Sequence, residues 1–223
     1  MNYTDILYED NHLIVLNKKS GEIVQGDKTG DMPLSEHLKE FIKVRDGKAG
    51  NVFVGVVHRI DRPVSGAVLF AKTGKALERM NNLIRERSIK KIYWAIVRNR
   101  PPKEQDTIEH FLRKNEAQNK SYVVPQTVAG AQKALLTYRL AGISDRFFLL
   151  EIQLHTGRHH QIRAQLSAIG SPIKGDLKYG DKRSNPDNSI SLHAREIEFI
   201  HPVKKEKVTV IAPAPSAFDM FLL

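Results

Sequence analysis

The 223 residues include no cysteine, which excludes a disulfide framework, a Cys-ligated zinc or iron–sulfur centre and a thiol nucleophile. No apolar run approaches the roughly 20 residues that cross a bilayer as a helix. The opening stretch MNYTDILYED is acidic, unlike the basic start of a signal peptide. A glycine loop of the kind that cradles nucleotide phosphates is missing, which argues against ATP chemistry. There are no internal repeats and no low-complexity tracts. These absences describe a soluble chain expected in the cytoplasm. What is there begins with a core, because 41% of residues are hydrophobic and wholesale disorder is thereby excluded. Positive charge is in excess: 35 Lys and Arg stand against 25 Asp and Glu, a net +10. That excess points to a polyanionic partner such as nucleic acid.

The length fits one large domain or two small ones. Composition does not shift along the chain and no linker is visible, so a single domain over residues 1–223 is expected. Ile6-Leu7-Tyr8 and His12 to Leu16 read as short strands around the polar turn Glu9-Asp10-Asn11. Leu34, Leu38, Phe41 and Ile42 have helical spacing. Val52 to Val57 and Ala67 to Ala71 read as strands, and Lys75 to Arg87 as the clearest helix. The strand Ile89 to Val97 follows, then a hairpin over Ala134 to Leu154 turning at Ser144-Asp145. Ile162, Leu166 and Ile169 mark a short helix stopped by Gly170. Two closing strands lie around Ile197 to Ile200 and Val208 to Ile211. Strands outnumber helices and most are joined by short turns, so an α+β domain with a largely antiparallel sheet is expected.

Three clusters carry candidate chemistry. The first is His58-Arg59-Ile60-Asp61-Arg62-Pro63-Val64-Ser65-Gly66, between two strand-like runs. Asp61 sits between two guanidinium groups and is suited to act as nucleophile, general base or metal ligand. It is equally suited to a structural salt bridge or an Asx-turn before Pro63. The second is His155-Thr156-Gly157-Arg158-His159-His160-Gln161-Ile162-Arg163. Its histidine spacing does not match a known metal helix and no carboxylate is close in sequence, so no metal is expected. Its arginines suit phosphate or carboxylate, for which a guanidinium offers a planar fork of donors. The third is Lys90-Lys91-Ile92-Tyr93-Trp94, where Tyr93 and Trp94 face opposite sides of a strand. A tyrosine flanked by lysines serves either as a packing residue or as a stacking platform for a nucleobase. Between Arg85 and Lys103 seven basic residues accompany one acid, Glu86.

Together these segments resemble the RluA-type family of RNA pseudouridine synthases. His58-Arg59-Ile60-Asp61-Arg62 with Ser65-Gly66 and Ala71-Lys72 resembles the catalytic-aspartate motif. Lys91-Ile92-Tyr93-Trp94-Ala95 resembles K-x-Y-x-A, and Gly157 to Arg163 resembles G-R-x-H-Q-I-R. Gly175-Asp176, Tyr179-Gly180, Leu192-His193-Ala194, His201-Pro202 and Ala212-Pro213 continue the pattern in order. The chain departs from it at Ile60 and Val64, which replace Leu and Thr. It departs again at Asn17-Lys18-Lys19, where Asn-Lys-Pro is usual and only local turn geometry is at stake. The pattern begins within ten residues of the start, so an N-terminal S4-type RNA-binding domain is not expected.

The resemblance implies a pseudouridine synthase catalytic fold, with helices flanking the sheet and a central active-site cleft. It implies isomerisation of uridine in ribosomal or transfer RNA, without cofactor or metal. Asp61 is then the catalytic aspartate, Arg163 the basic residue that orients it, and Tyr93 the ring that stacks on the target uracil. Ile162 supplies an apolar wall. Arg59, Arg62, Lys72, Arg158, His160 and Lys178 are the candidate RNA contacts. The implied partner is RNA, not DNA or a membrane, and the protein is expected to be a monomer. Two other readings stand beside this one: a catalytically silent RNA-binding or assembly protein on the same fold, and a metal-dependent nuclease using Asp61 with the histidines.

Overall fold

The computed structural model describes residues 5–27 and 29–221. Contacts group the chain into two compact units, one running through Ile89 and including Ala194–Pro213, the other comprising Lys90–His193 and the segment from Ala214 on. Among the described residues no helix is long and apolar enough to cross a membrane.

The first unit is built on β1 (Ile6–Glu9), β2 (Leu13–Lys18), β4 (Ser65–Ala71), β10 (Leu192–Ile200, from Ala194 on) and β11 (Lys207–Ile211), with β3 (Gly55–Val56) added to β4. β1 and β2 form the expected hairpin, antiparallel with Glu9 opposite Ile14. Its turn is tied by the Asp10 carboxylate, which accepts the backbone N–H groups of His12 and Leu13, both at 2.8 Å. Burial alone would make the Asp10 carboxyl harder to ionise, but these backbone bonds and those from Tyr8 and Lys204 outweigh it. The carboxyl is held well below the usual range.

β2 and β4 pair antiparallel from Leu13–Ala71 to Lys18–Gly66 and are buried on both faces. That explains their unbroken apolar runs, since alternation is required only when one face is wet. α1 (Leu34–Arg45) buries Leu34, Leu38 and Ile42. α2 (Gly74–Arg85) is capped by Thr73, whose Oγ1 accepts the Ala76 N–H at 3.2 Å. It packs Ala76, Met80 and Leu77 against a core of Leu13, Leu69, Ile197, Phe199 and Val210. A fully buried side chain such as Met80 stabilises by about 1.5–3 kcal/mol.

The expected strand over 52–57 reduces to Gly55–Val56, because Phe53 is exposed and only Gly55 and Val56 pair with Ala71 and Phe70. Gly66 is where β4 and β10 approach most closely. It has φ +116°, and a Cβ there would lie 2.3 Å from the Ala194 carbonyl oxygen. Gly66→Ala is therefore expected to lower stability by at least about 2 kcal/mol, from positive φ and backbone overlap together. A denaturant titration with an unchanged midpoint would show that this approach carries no constraint.

The second unit has strand order β5–β9–β8–β6–β7, from β5 (Lys90–Val97), β6 (Gln105–Asn115), β7 (Lys120–Val124), β8 (Gln132–Ile143) and β9 (Phe148–Leu154). All four pairings are antiparallel. β8 and β9 are the expected hairpin, with Ser144 N–H bonded to the Phe147 carbonyl at its turn. β6 and β7 carry no strand expectation from sequence. In β6 the buried apolar residues Ile108 and Leu112 share one face, but His110 stands between them on it, so apolar alternation is broken and no strand pattern is visible. α3 (Gln161–Ala168) fills the remaining place and ends at Gly170, φ +81°.

Candidate active site

In the first unit Asp61 lies in the loop between β3 and β4, half-buried, and its carbonyl accepts the Val64 N–H at 3.0 Å in a tight turn. The next two carbonyls are held by a neighbouring segment. Lys18 Nζ donates to the Arg62 carbonyl at 3.1 Å, the Gly21 N–H to the same oxygen at 2.9 Å, and Ser20 Oγ to the Pro63 carbonyl at 3.1 Å. His58 accepts the Leu69 N–H on its Nε2 at 3.3 Å, fixing the other end of the loop.

Lys18 is 1% exposed. Burial pushes its ammonium down to about 8, while the charges of Glu22 and then Asp61 pull it back. At neutral pH it is still mostly charged, so a buried cation stands by the Asp61 loop. Lys18 matches the Lys of the Asn-Lys-Pro pattern, whose departure lies at Lys19, and no role for Lys18 was read from sequence. The signal was in the strand's period: Lys18 follows Ile14 and Leu16 on the same buried face of β2.

The expected RNA contacts of this unit separate. Arg59 is exposed and has no ion-pair partner among the described residues. Arg62 is exposed and pairs with Asp31 at 2.6 Å. Lys72 bonds Glu9 at 2.6 Å and the Asp10 carbonyl at 2.8 Å, and Glu9 also holds Arg45. Lys72 thus stands in an ion-pair cluster that ties β1 and α1 to the end of β4.

In the second unit Tyr93 is 7% exposed in the middle of β5, opposite Ile152 of β9. Its neighbour Trp94 turns to the other face and packs with Phe218 and Phe147. Ile162 and Arg163 open α3 and are both buried. Arg163 makes a two-pronged ion pair with Asp176, Nε to Oδ2 at 2.7 Å and Nη2 to Oδ1 at 2.8 Å, and its guanidinium lies 5.0 Å from the Tyr179 ring. Asp176 and Tyr179 appear in the sequence as pattern residues without a role. Their separation from Arg163 by more than a dozen residues hides the contact.

The histidines are each committed elsewhere. His155 bonds Thr137 at 2.9 Å; His159 bonds Ser121 at 2.9 Å and Asn119 at 3.1 Å; His160 bonds the Tyr179 hydroxyl at 3.0 Å. Among the described residues no group of three or more potential ligands is arranged for a metal ion. His160 adopts left-handed backbone, φ 52°, at the start of α3. Burial first, then the charges of Arg163 and His159, push it down to about 2. A buried ring bonded to Tyr179 and held well below its usual basicity is poorly suited to offer a cation to phosphate. Arg158 is half-buried and donates Nε to the Lys133 carbonyl at 3.0 Å. Lys178 is exposed and reaches the Asn119 carbonyl at 3.2 Å, closing the β6–β7 turn.

Known proteins share the sequence pattern and the fold of this chain. A family model described as RNA pseudouridylate synthase matches residues 12–168. An RNA pseudouridine synthase of Synechocystis is 33% identical over 98% of this chain and 68% of its own length. The ribosomal large subunit pseudouridine synthase C of Vibrio cholerae is 31% identical over 97% of this chain and 68% of its own length. Among solved structures, human RNA pseudouridylate synthase domain containing 4 superposes with a TM-score of 0.80 at 24% identity, covering 97% of this chain and 91% of that one. That superposition shows the fold.

Proposed function

The chain belongs to the RluA-type family of RNA pseudouridine synthases, isomerases that convert uridine in RNA to pseudouridine, and on that premise we propose that Asp61 is its catalytic aspartate and ribosomal RNA its substrate. The reaction breaks the N1–C1′ bond of uridine, turns the uracil and joins C5 to C1′, after which the C5 proton is lost. No atom is gained or lost overall. A stacked or paired uridine must first be extruded into a pocket.

The observation that carries the reading is the anchoring of the Asp61 loop. Backbone carbonyls on the residues that follow are fixed by Lys18, Ser20 and Gly21, which holds the loop, and with it the carboxylate, in place. Tyr93, fixed by its place in β5, is assigned to stack on the uracil. Ile162 is assigned the apolar wall, and Arg163, immobilised by Asp176, the basic role. Arg59, exposed and without an ion-pair partner among the described residues, is the first unit's main candidate for contact with RNA. Ribosomal RNA is preferred because the Vibrio cholerae relative is named for the large ribosomal subunit.

Pseudouridine mapping of total RNA from cells with and without the gene tests this reading. Loss of one or more sites in large-subunit ribosomal RNA is expected. Sites lost only from transfer RNA would replace the substrate, and an unchanged map would overturn the assignment.

A further inference from the structure

Lys91 lies two residues before Tyr93 on β5, and alternate residues of a strand share a face. Its side chain is half-buried, and its Nζ sits over Gly157, 3.8 Å from where a Cβ would stand. Among the described residues the ammonium has neither a hydrogen-bond nor an ion-pair partner. Burial lowers its basicity and no carboxylate opposes the shift. The chain has 25 acids, and most lysines near the surface of such a protein find one or extend into water. This one does neither. The next residue in the facing loop is Arg158, whose Nε is bound to the Lys133 carbonyl and whose guanidinium has no other partner among the described residues. Gly157 has no side chain to fill the space before the Lys91 ammonium, and the residue that follows it carries a second cation.

We propose that Lys91, with Arg158 across Gly157, is the binding site for the backbone phosphate beside the target uridine. The inference rests on the pseudouridine synthase reading and deepens it. Cα atoms two apart in a strand are about 6–7 Å from each other, a separation of the same order as that between a base and the phosphates of its own nucleotide. A base stacked on Tyr93 therefore brings a phosphate within reach of Lys91. A cation kept partly out of water without an acid is a poor stabiliser of the free protein and a strong ligand for an arriving phosphate. Its purpose is visible only with RNA bound. No other lysine of β5 has this setting, since Lys90 is exposed.

The test compares wild type, Lys91→Met and Lys91→Arg on an RNA stem–loop carrying a mapped target, and on the same RNA with a neutral methylphosphonate beside the target uridine. Lys91→Met is expected to raise KM about tenfold to a hundredfold, with a much smaller change in kcat. The slope of log affinity against log salt should fall by about 0.7, one phosphate contact on a single strand. Lys91→Arg should recover most of the affinity. The methylphosphonate RNA should bind wild type and Lys91→Met equally. In the absence of RNA, the Met variant should unfold at no lower temperature than wild type. An unchanged KM and salt slope for Lys91→Met would overturn the proposal, as would a fall in unfolding temperature with KM unaffected, which would make Lys91 a packing residue. Failure of wild type to form pseudouridine in any RNA would strike the underlying reading alone, because the salt slope is measured without turnover.

Discussion

Asp61→Asn is expected to reduce pseudouridine formation by roughly 10⁴-fold or more, the scale on which loss of a residue central to the chemistry is felt. RNA affinity should change by no more than a few-fold. The substitution is close to isosteric and leaves the loop's supports alone. The bonds from Lys18, Ser20 and Gly21 all end on backbone carbonyls of Arg62 and Pro63. The Asp61 carbonyl still accepts the Val64 N–H. Lys18 should stay charged and in place, because it loses the weaker of two acidic neighbours and keeps Glu22. A single-turnover assay on a mapped RNA, alongside a binding titration and a thermal melt, separates activity, affinity and stability. Activity above about a hundredth of wild type would remove Asp61 from the chemistry.

Asp176→Ala is the change with the largest expected effect on the fold. Arg163 and Asp176 are 5% and 1% exposed, and their two parallel bonds at 2.7 and 2.8 Å are made out of contact with water. Removing one partner leaves a buried guanidinium short of its counter-charge, at about 3–5 kcal/mol. For a chain of this size that corresponds to a fall in Tm of about 6–20 °C. The loss should spread locally, because Tyr179 lies under the same guanidinium and its hydroxyl meets both His160 and the Ser121 N–H. Asp176→Asn keeps an acceptor oxygen for one of the two bonds and should fall between. If Arg163 also serves the reaction, kcat measured where the variant is fully folded should drop along with Tm. A Tm within about 2 °C of wild type would show that the pair does not hold the second unit together.

These two substitutions probe different designs. The loop of Asp61 is positioned through its backbone, by Lys18, Ser20 and Gly21 bonding to the carbonyls of Arg62 and Pro63. Arg163 is positioned through its side chain, by a carboxylate thirteen residues further along. The first kind of support survives removal of the functional group, and the second does not.

Much of this was legible in the chain. The β1–β2 and β8–β9 hairpins, α1, α2, α3 and the closing strands follow from periodicity and turn chemistry, because each is a local property of consecutive residues. The clusters at Asp61, Tyr93 and Arg163 were visible as residue types in order, and the family resemblance rested on them. β6 and β7 were not visible, since apolar residues do not alternate along them. The surroundings of Lys72 and His160 were not visible for a related reason: a positive or titratable residue looks like a phosphate contact until its neighbours are known. Lys72 is neutralised by Glu9, and His160 is stripped of its proton by burial and nearby cations. Lys18, Lys91 and Asp176 are ordinary residues in one dimension. Only the packing of strands and loops shows which of them is walled off from water with a partner and which without. Sequence by itself determined the family, the elements and the candidate chemistry, because these depend on residue identity and near neighbours. Tertiary structure decided which charges are satisfied, because that depends on burial and on contacts between residues far apart in the chain.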